Sequence, residues 1–273
     1  MNMQVTPRAA EPAIVREAVP CGSSDHAMPG TAVQIVGEML CEAIDLRSGQ
    51  RALDVAAGSG GAMLAAARRF AQVTATDASG AWFELARARA KAERFAVAFR
   101  EADPSALPFD DAAFDAVLST FGVALAPNQE RVAKELLRVC RPGGRIGLAC
   151  WTPDSFIGQL HRLIGQYVPA AQSGKLPMLW GTRAHLGSLF GPGNVVVVQN
   201  RQFAFRARSP EHWLELFAAD YAPLAKTFAT LAPELQMAFE EDIHVLLNRF
   251  NLAHDGTLVA PSEYLEVVVA KKR

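Results

Sequence analysis

The chain has 273 residues, half of them apolar, and its 27 Lys and Arg residues nearly balance its 28 Asp and Glu residues. This length and composition suit one large α/β domain or a core with a lid. There is no basic block to neutralise a phosphate backbone, the apolar runs are too short for a membrane span, and the opening residues do not form a secretory signal. Nucleic acid and membrane are therefore not expected partners.

The four cysteines lie far apart in the sequence, and none forms a C-x-x-C pair or belongs to a pattern of histidine ligands. We expect Cys21, Cys41, Cys140 and Cys150 to be reduced, mostly buried small hydrophobic residues. No metal site is predicted. These features are typical of a cytoplasmic protein, and we expect a monomer or a homodimer.

Residues 1–20 mix Pro, Ala and charged residues without periodicity, which predicts a loose tail. The first helix, TAVQIVGEMLCEAI, has Thr31 as its candidate N-cap. Strands and helices then alternate up to Trp151, which predicts a mostly parallel sheet with helices on both faces. The strands of this half are RALDVA, VTATD, FAVAFREA, FDAVLSTF and RIGLACW, with RPGG as a turn before the last of them.

After Trp151 the segments are mostly helical: DSFIGQLHRLIGQYV, TRAHLGSLF, SPEHWLELFAADY and PELQMAFEEDIHVLLNRF. Two strands, NVVVVQNRQFAF and EYLEVVVAKK, are predicted to pair in antiparallel fashion at the edge of the sheet. The sequence thus predicts one domain with a seven-stranded, mostly parallel α/β sheet, an antiparallel C-terminal edge strand and a helical lid. The predicted ranges are 21–273 for the domain, 31–151, 194–207 and 262–273 for its core, and 152–192 and 208–258 for the lid.

The segment RALDVAAGSGG places a carboxylate, Asp54, near the end of the first strand and directly before a loop of small residues. Gly58, Gly60 and Gly61 let the backbone turn sharply and let a ligand approach it closely. The amide groups that begin the next helix suit a carboxylate or a phosphate. Because Asp54 would repel a pyrophosphate but accept hydrogen bonds from an ammonium group, the pattern favours a ligand with an amino-acid moiety.

The second strand ends in Asp77, about 20 residues after the loop, where an acidic side chain accepts hydrogen bonds from ribose hydroxyls. A nucleoside joined to an amino acid describes S-adenosylmethionine. A nicotinamide-dependent oxidoreductase is disfavoured by Asp54 and by Met63, which stands where a dinucleotide loop has Gly or Ala. A non-catalytic cofactor-binding or regulatory protein of the same fold is the other alternative, because fold does not determine function.

The motif LDVAAGSG resembles the first motif of the class I S-adenosylmethionine-dependent methyltransferases. EADPSALPFDDAAFDAVLSTFGVALAPNQERVAKELLRVCRPGGRIGLACW resembles the rest of their small-molecule branch, which includes the ubiquinone and menaquinone C-methylases. This resemblance covers about residues 30–151 and implies a Rossmann-like fold and methyl transfer. Residues 152–273 resemble a common bacterial subgroup and imply no particular reaction. Ala56 departs from the family pattern, which more often has Gly there, and its methyl group is expected to narrow the space slightly without harm.

The resemblance also implies roles for single residues. Asp54 would hold the methionine ammonium, Gly58 and Gly60 would border the carboxypropyl arm, and Asp77 would bind the ribose. Asp103 would accept a hydrogen bond from the adenine amino group, although on its own it would be interpreted as a strand-end cap. The other predicted cofactor contacts are Ala56, Ala78, Trp82, Ala102, Thr120 and Phe121, of which Trp82 alternatively packs on a helix face and the last two also face the acceptor.

On the acceptor side, the aromatic residues that follow the core predict an apolar pocket for a small molecule, lined by Trp151, Phe156 and Trp180. His26, in GSSDHAMPG, is the candidate general base, because family members fold this segment over the site. We predict that Trp151, Trp180 and His26 contact one apolar cavity beside the transferred methyl group. The sequence does not distinguish O-, C- and N-methylation, because alignment of the acceptor alone supplies much of the rate.

Overall fold

The computed structural model describes residues 31–168, 177–191 and 193–273, apart from the side chains of Trp82 and Pro177. Its strands are β1 (Arg51–Val55), β2 (Gln72–Asp77), β3 (Val97–Glu101), β4 (Phe114–Thr120), β5 (Cys140–Trp151), β6 (Val195–Ala207) and β7 (Leu258–Ala270). They form one sheet in the order β3-β2-β1-β4-β5-β7-β6. Strands β1 to β5 pair in parallel, whereas β7 is antiparallel to both of its neighbours.

The predicted fold is confirmed, with one difference at the edge of the sheet. The C-terminal strand β7 lies between β5 and β6, so the edge strand is β6. The reason is that the second half of β7 is mostly apolar, as EYLEVVVA suggests, and Tyr264–Val267 are buried in succession, which places both faces of this part under cover. A strand of that kind belongs inside a sheet.

The helices are α1 (Gln34–Ala43), α2 (Gly61–Arg68), α3 (Ala81–Ala92), α4 (Gln129–Val139), α5 (Phe156–Tyr167), α6 (Arg183–Phe190), α7 (Pro210–Asp220), α8 (Ala222–Thr230) and α9 (Pro233–Phe250). Short 3₁₀ turns cover Gly122–Leu125 and Pro177–Gly181. Helix α8 was not predicted from the sequence. No helix in the described part of the chain is long and apolar enough to cross a membrane.

Two local predictions need correction. Thr31 is not the N-cap of the first helix, because α1 begins at Gln34 and its N-cap, Val33, makes no side-chain hydrogen bond. The RPGG turn lies inside β5, where the pairing with β4 jumps from Phe114↔Cys140 to Ala116↔Arg145. The extra residues are looped out as a bulge, so a turn-forming sequence occurs within a strand.

The sheet separates the core into two faces. On one face, α4 and α6 cover Val117, Ile146, Leu148 and Cys150. On the other face, α1, α2 and α3 cover the intervening strand residues such as Ala116 and Leu118. Helix α2 is buried from Ala62 to Ala67, because its small side chains let it lie close to the sheet. Cys41, Cys140 and Cys150 are free and buried, as predicted, and Cys21 lies outside the described residues.

Strands β6 and β7 continue beyond the rest of the sheet as a two-stranded ribbon. The last pair between β5 and β7 is Trp151↔Tyr264. Strands β6 and β7 make six further pairs, from Gln202↔Glu263 to Ala207↔Leu258, which corresponds to about 20 Å. Helices α5, α7, α8 and α9 contribute to one hydrophobic cluster that includes this ribbon and Trp151. These four helices and the ribbon form what is called here the lid.

The lid is smaller than the sequence predicted. Trp180 of the 3₁₀ turn Pro177–Gly181 and the buried residues of α6 pack with α4 on the sheet face that carries Cys150, whereas Met178 of the same turn packs in the lid cluster. This part of the predicted lid range 152–192 therefore belongs to the core. Both lid connections leave the sheet from β5 and β6, which run parallel to β1–β4. The lid consequently lies at the edge where those strands have their carboxyl ends.

Candidate functional site

The loops after β1, β2, β3 and β4 meet at one edge of the sheet, because these strands are parallel neighbours. Ligands of open α/β sheets bind at this edge. The structure brings together here most of the predicted cofactor residues. They are Asp54, Ala56, Gly58, Gly60, Asp77, Ala78, Ala102, Asp103, Thr120 and Phe121.

Asp54 is a buried carboxylate with one oxygen in use. Its side chain is 1% exposed, and its Oδ2 accepts a hydrogen bond of 2.7 Å from the Met63 amide in the first turn of α2. Its Oδ1 is buried and has no hydrogen-bond partner among the described residues. Burial, together with the charge of Asp77, raises the pKa of Asp54 from 3.8 to about 7. Such an oxygen would be stabilised by a cationic hydrogen-bond donor.

The loop after β1 is built on left-handed backbone conformations. Gly58 has φ of 53° and Gly60 has φ of 83°, which glycine adopts without strain. Ala56 has φ of 56°, a conformation that costs a residue with a Cβ about 1–2 kcal/mol. The expectation that Ala56 does no harm is therefore wrong, since its left-handed backbone is strained.

Gly122 makes the closest approach to this loop from the β4 side. A Cβ at position 122 would lie 2.4 Å from the Ala56 carbonyl oxygen and 2.6 Å from the Ala56 Cβ. Ser119 ties the same two strand ends together, because its hydroxyl donates a 2.7 Å hydrogen bond to the Val55 carbonyl. The loops after β1 and β4 thus fit against each other with no spare volume.

Asp77 is the junction of three loops. Its Oδ2 accepts from the Gly58 amide at 2.9 Å and its Oδ1 from the Ser79 amide at 3.1 Å, while its carbonyl accepts from the Ala102 amide at 2.9 Å. Burial raises its pKa. Glu101, which sequence reasoning missed, pairs in register with Asp77 on β3. This edge therefore concentrates negative charge, which favours a cationic ligand.

Asp103 is exposed and makes a local turn. Its Oδ1 accepts from the Ser105 amide at 2.7 Å, and this hydrogen bond lowers the pKa of Asp103. The geometry is that of a strand-end cap, which was the alternative interpretation of this residue. The second carboxylate oxygen has no part in that 2.7 Å bond, so the cap and a contact to adenine are compatible.

We expect Asp77→Ala to lower the affinity for S-adenosylmethionine at least tenfold. Hydrogen bonds to a charged group contribute about 1.5–3 kcal/mol each, and this carboxylate would supply two to the ribose. Because it also holds the Gly58 and Ser79 amides, the ligand-free melting temperature should fall by a few degrees. Isothermal titration calorimetry measures the affinity, and an unchanged affinity would show that Asp77 does not bind the cofactor.

Arg89, on α3, holds the glycine loop from behind. Its Nη1 donates a 2.6 Å hydrogen bond to the Ser59 carbonyl, and its Nη2 donates to the Gln34 side chain at 2.5 Å. The Gln34 amide in turn donates to the Gly61 carbonyl at 2.9 Å. These bonds use the carbonyl oxygens of the loop, so they fix its orientation without occupying the amides that face a ligand.

We therefore expect Arg89→Met to weaken S-adenosylmethionine binding about fivefold to tenfold, from the loss of one charged hydrogen bond to the loop. Arg94→Met, at an exposed arginine just beyond α3, is the control and should leave affinity unchanged. Calorimetry of both variants measures the difference. Equal affinities in the two would show that the loop keeps its shape without Arg89.

The loop after β4 begins with a strained aromatic residue. Phe121 has φ of 65°, which is uncommon for a bulky side chain and often marks a functional position. Its ring stacks on Trp151, with centroids 3.9 Å apart and planes 2° apart. Trp151 in turn contacts Phe205 of the ribbon, with centroids 5.7 Å apart. Phe121 therefore joins the glycine-loop edge to the lid.

The other predicted acceptor residues are not gathered around this pair. Trp180 is fully buried against Phe190 on the opposite sheet face from Trp151, since it packs with Cys150 and strand residues alternate between faces. The predicted cavity shared by Trp151 and Trp180 is therefore wrong. Phe156 is fully buried inside the lid against Phe205 and Trp213. His26 and the Trp82 side chain lie outside the described residues.

Comparison with known proteins identifies relatives of the chain. Residues 53–148 match the protein family described as "Methyltransferase domain". The uncharacterised Mycobacterium tuberculosis protein Rv1405c is 34% identical over 255 residues, which cover 91% of both chains. The demethylmenaquinone methyltransferase of Thermus thermophilus is 36% identical over 146 residues, covering 51% of this chain and 63% of that protein.

Several solved structures have a similar fold. The Haemonchus contortus phosphoethanolamine N-methyltransferase 2, solved in complex with S-adenosyl-L-methionine, superposes with a TM-score of 0.56 at 18% identity, over 88% of this chain and 53% of that one. The [4+2]-cyclase SpnF superposes with a TM-score of 0.57 at 21% identity, over 89% of this chain and 82% of that one. At these identities the likeness concerns the fold.

Proposed function

Because this chain belongs to the class I S-adenosylmethionine-dependent methyltransferases, we propose that it transfers the methyl group of that cofactor to a small apolar or aromatic molecule bound under the lid. The cofactor supplies an electrophilic methyl group on a sulfonium. The protein has to bind the cofactor at the glycine-loop edge, align the acceptor with the methyl group and exclude water.

The observation that carries the proposal is the buried, unpartnered Oδ1 of Asp54 beside the glycine loop. A buried carboxylate oxygen without a donor is costly, and the amino group of an amino-acid moiety would satisfy it. A pyrophosphate at the same place would be repelled. The residues present therefore fit an amino-acid-bearing nucleoside better than a dinucleotide.

The remaining assignments at this edge are part of the same proposal. Asp77 and Asp103 would bind the ribose and the adenine amino group, with Ala102 beside them. Gly58 and Gly60 would border the carboxypropyl arm. Thr120, which ends β4, and Phe121, which follows it, would face the methyl group. The acidic residues of this edge would also favour the positive sulfonium over the neutral product that remains after transfer.

The nature of the lid supports an apolar acceptor. Its cluster is rich in aromatic side chains, and aromatic rings pack well against flat molecules. The name of the Thermus thermophilus relative states that it methylates demethylmenaquinone, which is such a molecule. We extend only this class to our chain: a ring-containing apolar acceptor, with the acceptor atom left to experiment.

Two measurements test the proposed function. Calorimetry should show binding of S-adenosylmethionine and S-adenosylhomocysteine, and binding of NAD or NADP at least an order of magnitude weaker. Incubation with isotope-labelled S-adenosylmethionine and a bacterial metabolite extract should then give a labelled small molecule, and Asp54→Asn should abolish it. Cofactor binding without any labelled product would favour a non-catalytic or regulatory protein.

A further inference from the structure

The loop between β3 and β4, residues 102–113, carries Asp103 and has no helix or strand of its own. Pro104 and Pro108 lack a backbone N–H and cannot donate hydrogen bonds within it. Inside this described range, backbone hydrogen bonds close only two short turns. Such a loop keeps one conformation only if other parts of the fold hold its backbone.

Glu135 and Arg138, one turn apart on α4, hold this backbone. The Glu135 carboxylate accepts a 2.8 Å hydrogen bond from the Leu107 amide. Arg138 donates from Nη2 to the Leu107 carbonyl at 2.8 Å and from Nη1 to the Phe109 carbonyl at 2.6 Å. The two side chains also bond to each other twice, at 2.7 and 2.8 Å. With side chains only 17% and 30% exposed, the pair is partly shielded from water, which strengthens these bonds.

Arg131, one turn earlier on α4, holds the part of the loop next to Asp103. Its Nε donates a 2.8 Å hydrogen bond to the Ser105 carbonyl, and the Ser105 amide donates to Asp103 Oδ1 at 2.7 Å. The hydrogen bonds from Ser105, and in addition the charge of Arg131, lower the pKa of Asp103. Side chains from three successive turns of α4 therefore fix the loop that presents an ionised carboxylate at the cofactor edge.

We propose that Arg131, Glu135 and Arg138 are positioning residues that make the cofactor site selective for adenine over a 6-oxopurine. They act through Asp103 and do not themselves contact the cofactor. This inference rests on the proposed function, in which Asp103 accepts a hydrogen bond from the adenine amino group. It assigns the discrimination between bases to the helix that supports the loop as well as to the carboxylate.

The selectivity depends on how firmly the carboxylate is held. Adenine has an amino group at ring position 6, which donates to a carboxylate, and an unprotonated nitrogen beside it. Hypoxanthine has an oxygen at position 6, which repels a carboxylate, but the neighbouring nitrogen carries a hydrogen that a carboxylate can accept. A carboxylate fixed opposite position 6 therefore discriminates between the two bases, whereas one that can shift sideways binds either.

The test compares S-adenosylhomocysteine with S-inosylhomocysteine, which has an oxygen in place of the adenine amino group, by calorimetry with the full chain. Wild type should bind the adenine compound about ten- to a hundredfold more tightly, the value of one hydrogen bond to a charged group. In Arg138→Met this preference should fall below about threefold, because only the affinity for the adenine compound is lost. A purely structural role would weaken both compounds equally and leave their ratio unchanged.

Lys134→Met is the matched control. Lys134 lies on the same helix, is exposed and makes no hydrogen bond to the loop among the described residues, so this variant should keep the wild-type preference. Arg131→Met removes the single exposed bond to the Ser105 carbonyl and should reduce the preference about two- to threefold without a change in melting temperature. It decides the question if Arg138→Met does not fold.

Three results would overturn the inference while the proposed methyl transfer stands. They are equal affinity of wild type for the two compounds, an undiminished preference in the folded variants, and an equal loss of affinity for both compounds in those variants. If S-adenosylhomocysteine itself does not bind to wild type, the proposed function fails as well, which separates the two cases.

Discussion

Asp54→Asn should lower the affinity for S-adenosylmethionine about a hundredfold or more at pH 8, and at the same time raise the melting temperature of the ligand-free protein. The affinity falls because a buried ion pair loses its charge, a change that costs about 3–5 kcal/mol. The amide oxygen of Asn can still accept the hydrogen bond from the Met63 amide, so the start of α2 is preserved.

The stability gain follows from the sign of the pKa shift. Folding raises the pKa of Asp54 from 3.8 to about 7, so the folded protein holds a proton that the unfolded chain releases. Stability therefore falls as the pH rises from 3.8 through 7. Asn carries no charge at any pH, and the difference in melting temperature between variant and wild type should be largest at pH 8 and should shrink steadily as the pH falls through 5 towards 3.8.

Cofactor affinity should have the opposite dependence on pH. Binding to an ammonium group requires the ionised carboxylate, so wild-type affinity should weaken by up to tenfold for each pH unit below 7. Above about pH 8 the α-amino group of the ligand loses its proton and affinity should fall again. Calorimetry from pH 5 to 9 gives the profile. A flat profile, or a destabilised ligand-free Asp54→Asn, would show that Asp54 is only a structural residue.

Gly122→Ala should destabilise the protein by about 1–3 kcal/mol, the usual cost of forcing an extra methyl group into a packed site. The added Cβ would lie 2.4 Å from the Ala56 carbonyl oxygen, which is backbone and has no rotamer to change. The glycine loop must therefore move, and we expect cofactor affinity to fall more than tenfold. Thermal melts and calorimetry measure the two effects.

Gly187→Ala is the control for this substitution. Gly187 lies in α6, and a Cβ there would meet no atom within 4 Å, so the change should be neutral or stabilise the helix by up to about 1 kcal/mol. The double variant Ala56→Gly, Gly122→Ala removes the Cβ–Cβ contact but keeps the contact with the carbonyl of residue 56, and it should recover more stability than Ala56→Gly alone gains by relieving its backbone strain. Wild-type affinity in Gly122→Ala would mean that the β4 loop does not shape the site.

The sequence was sufficient to predict the fold and to predict that the candidate cofactor residues meet at one edge of the sheet, for a physical reason. Alternation of apolar strands with amphipathic helices dictates a parallel sheet, and the strand-end position of Asp54 and Asp77 places both at one edge. Supporting residues could not be found in this way. Arg89 and Gln34 are far apart in the chain and are polar helix residues of ordinary appearance, and only the folded contacts show that both hold the glycine loop.

The lid was the least predictable part. Its residues do not lie at the carboxyl ends of parallel strands, so no general rule predicts which of them meet. Trp151 and Trp180 look alike in the sequence, as apolar aromatic residues at and after the end of the predicted core. Their side chains lie on opposite faces of the sheet, because side chains alternate along β5 and because the 3₁₀ turn directs Trp180 to the other face. Likewise, His161 has the apolar neighbours of a packing residue, and its contact with Tyr221 is visible only in three dimensions.

The ribbon formed by the distal parts of β6 and β7 allows the lid helices α7, α8 and α9 to be replaced without a change in the sequence of the cofactor loops. Its six pairs beyond Trp151↔Tyr264 carry the connection from Arg208 to Thr257, and this connection contains none of the predicted cofactor residues. Natural variation can accordingly accumulate in α7, α8 and α9 under selection for new acceptors while the cofactor chemistry is inherited intact. Exchange of the 208–257 segment among relatives becomes a practical route to altered specificity.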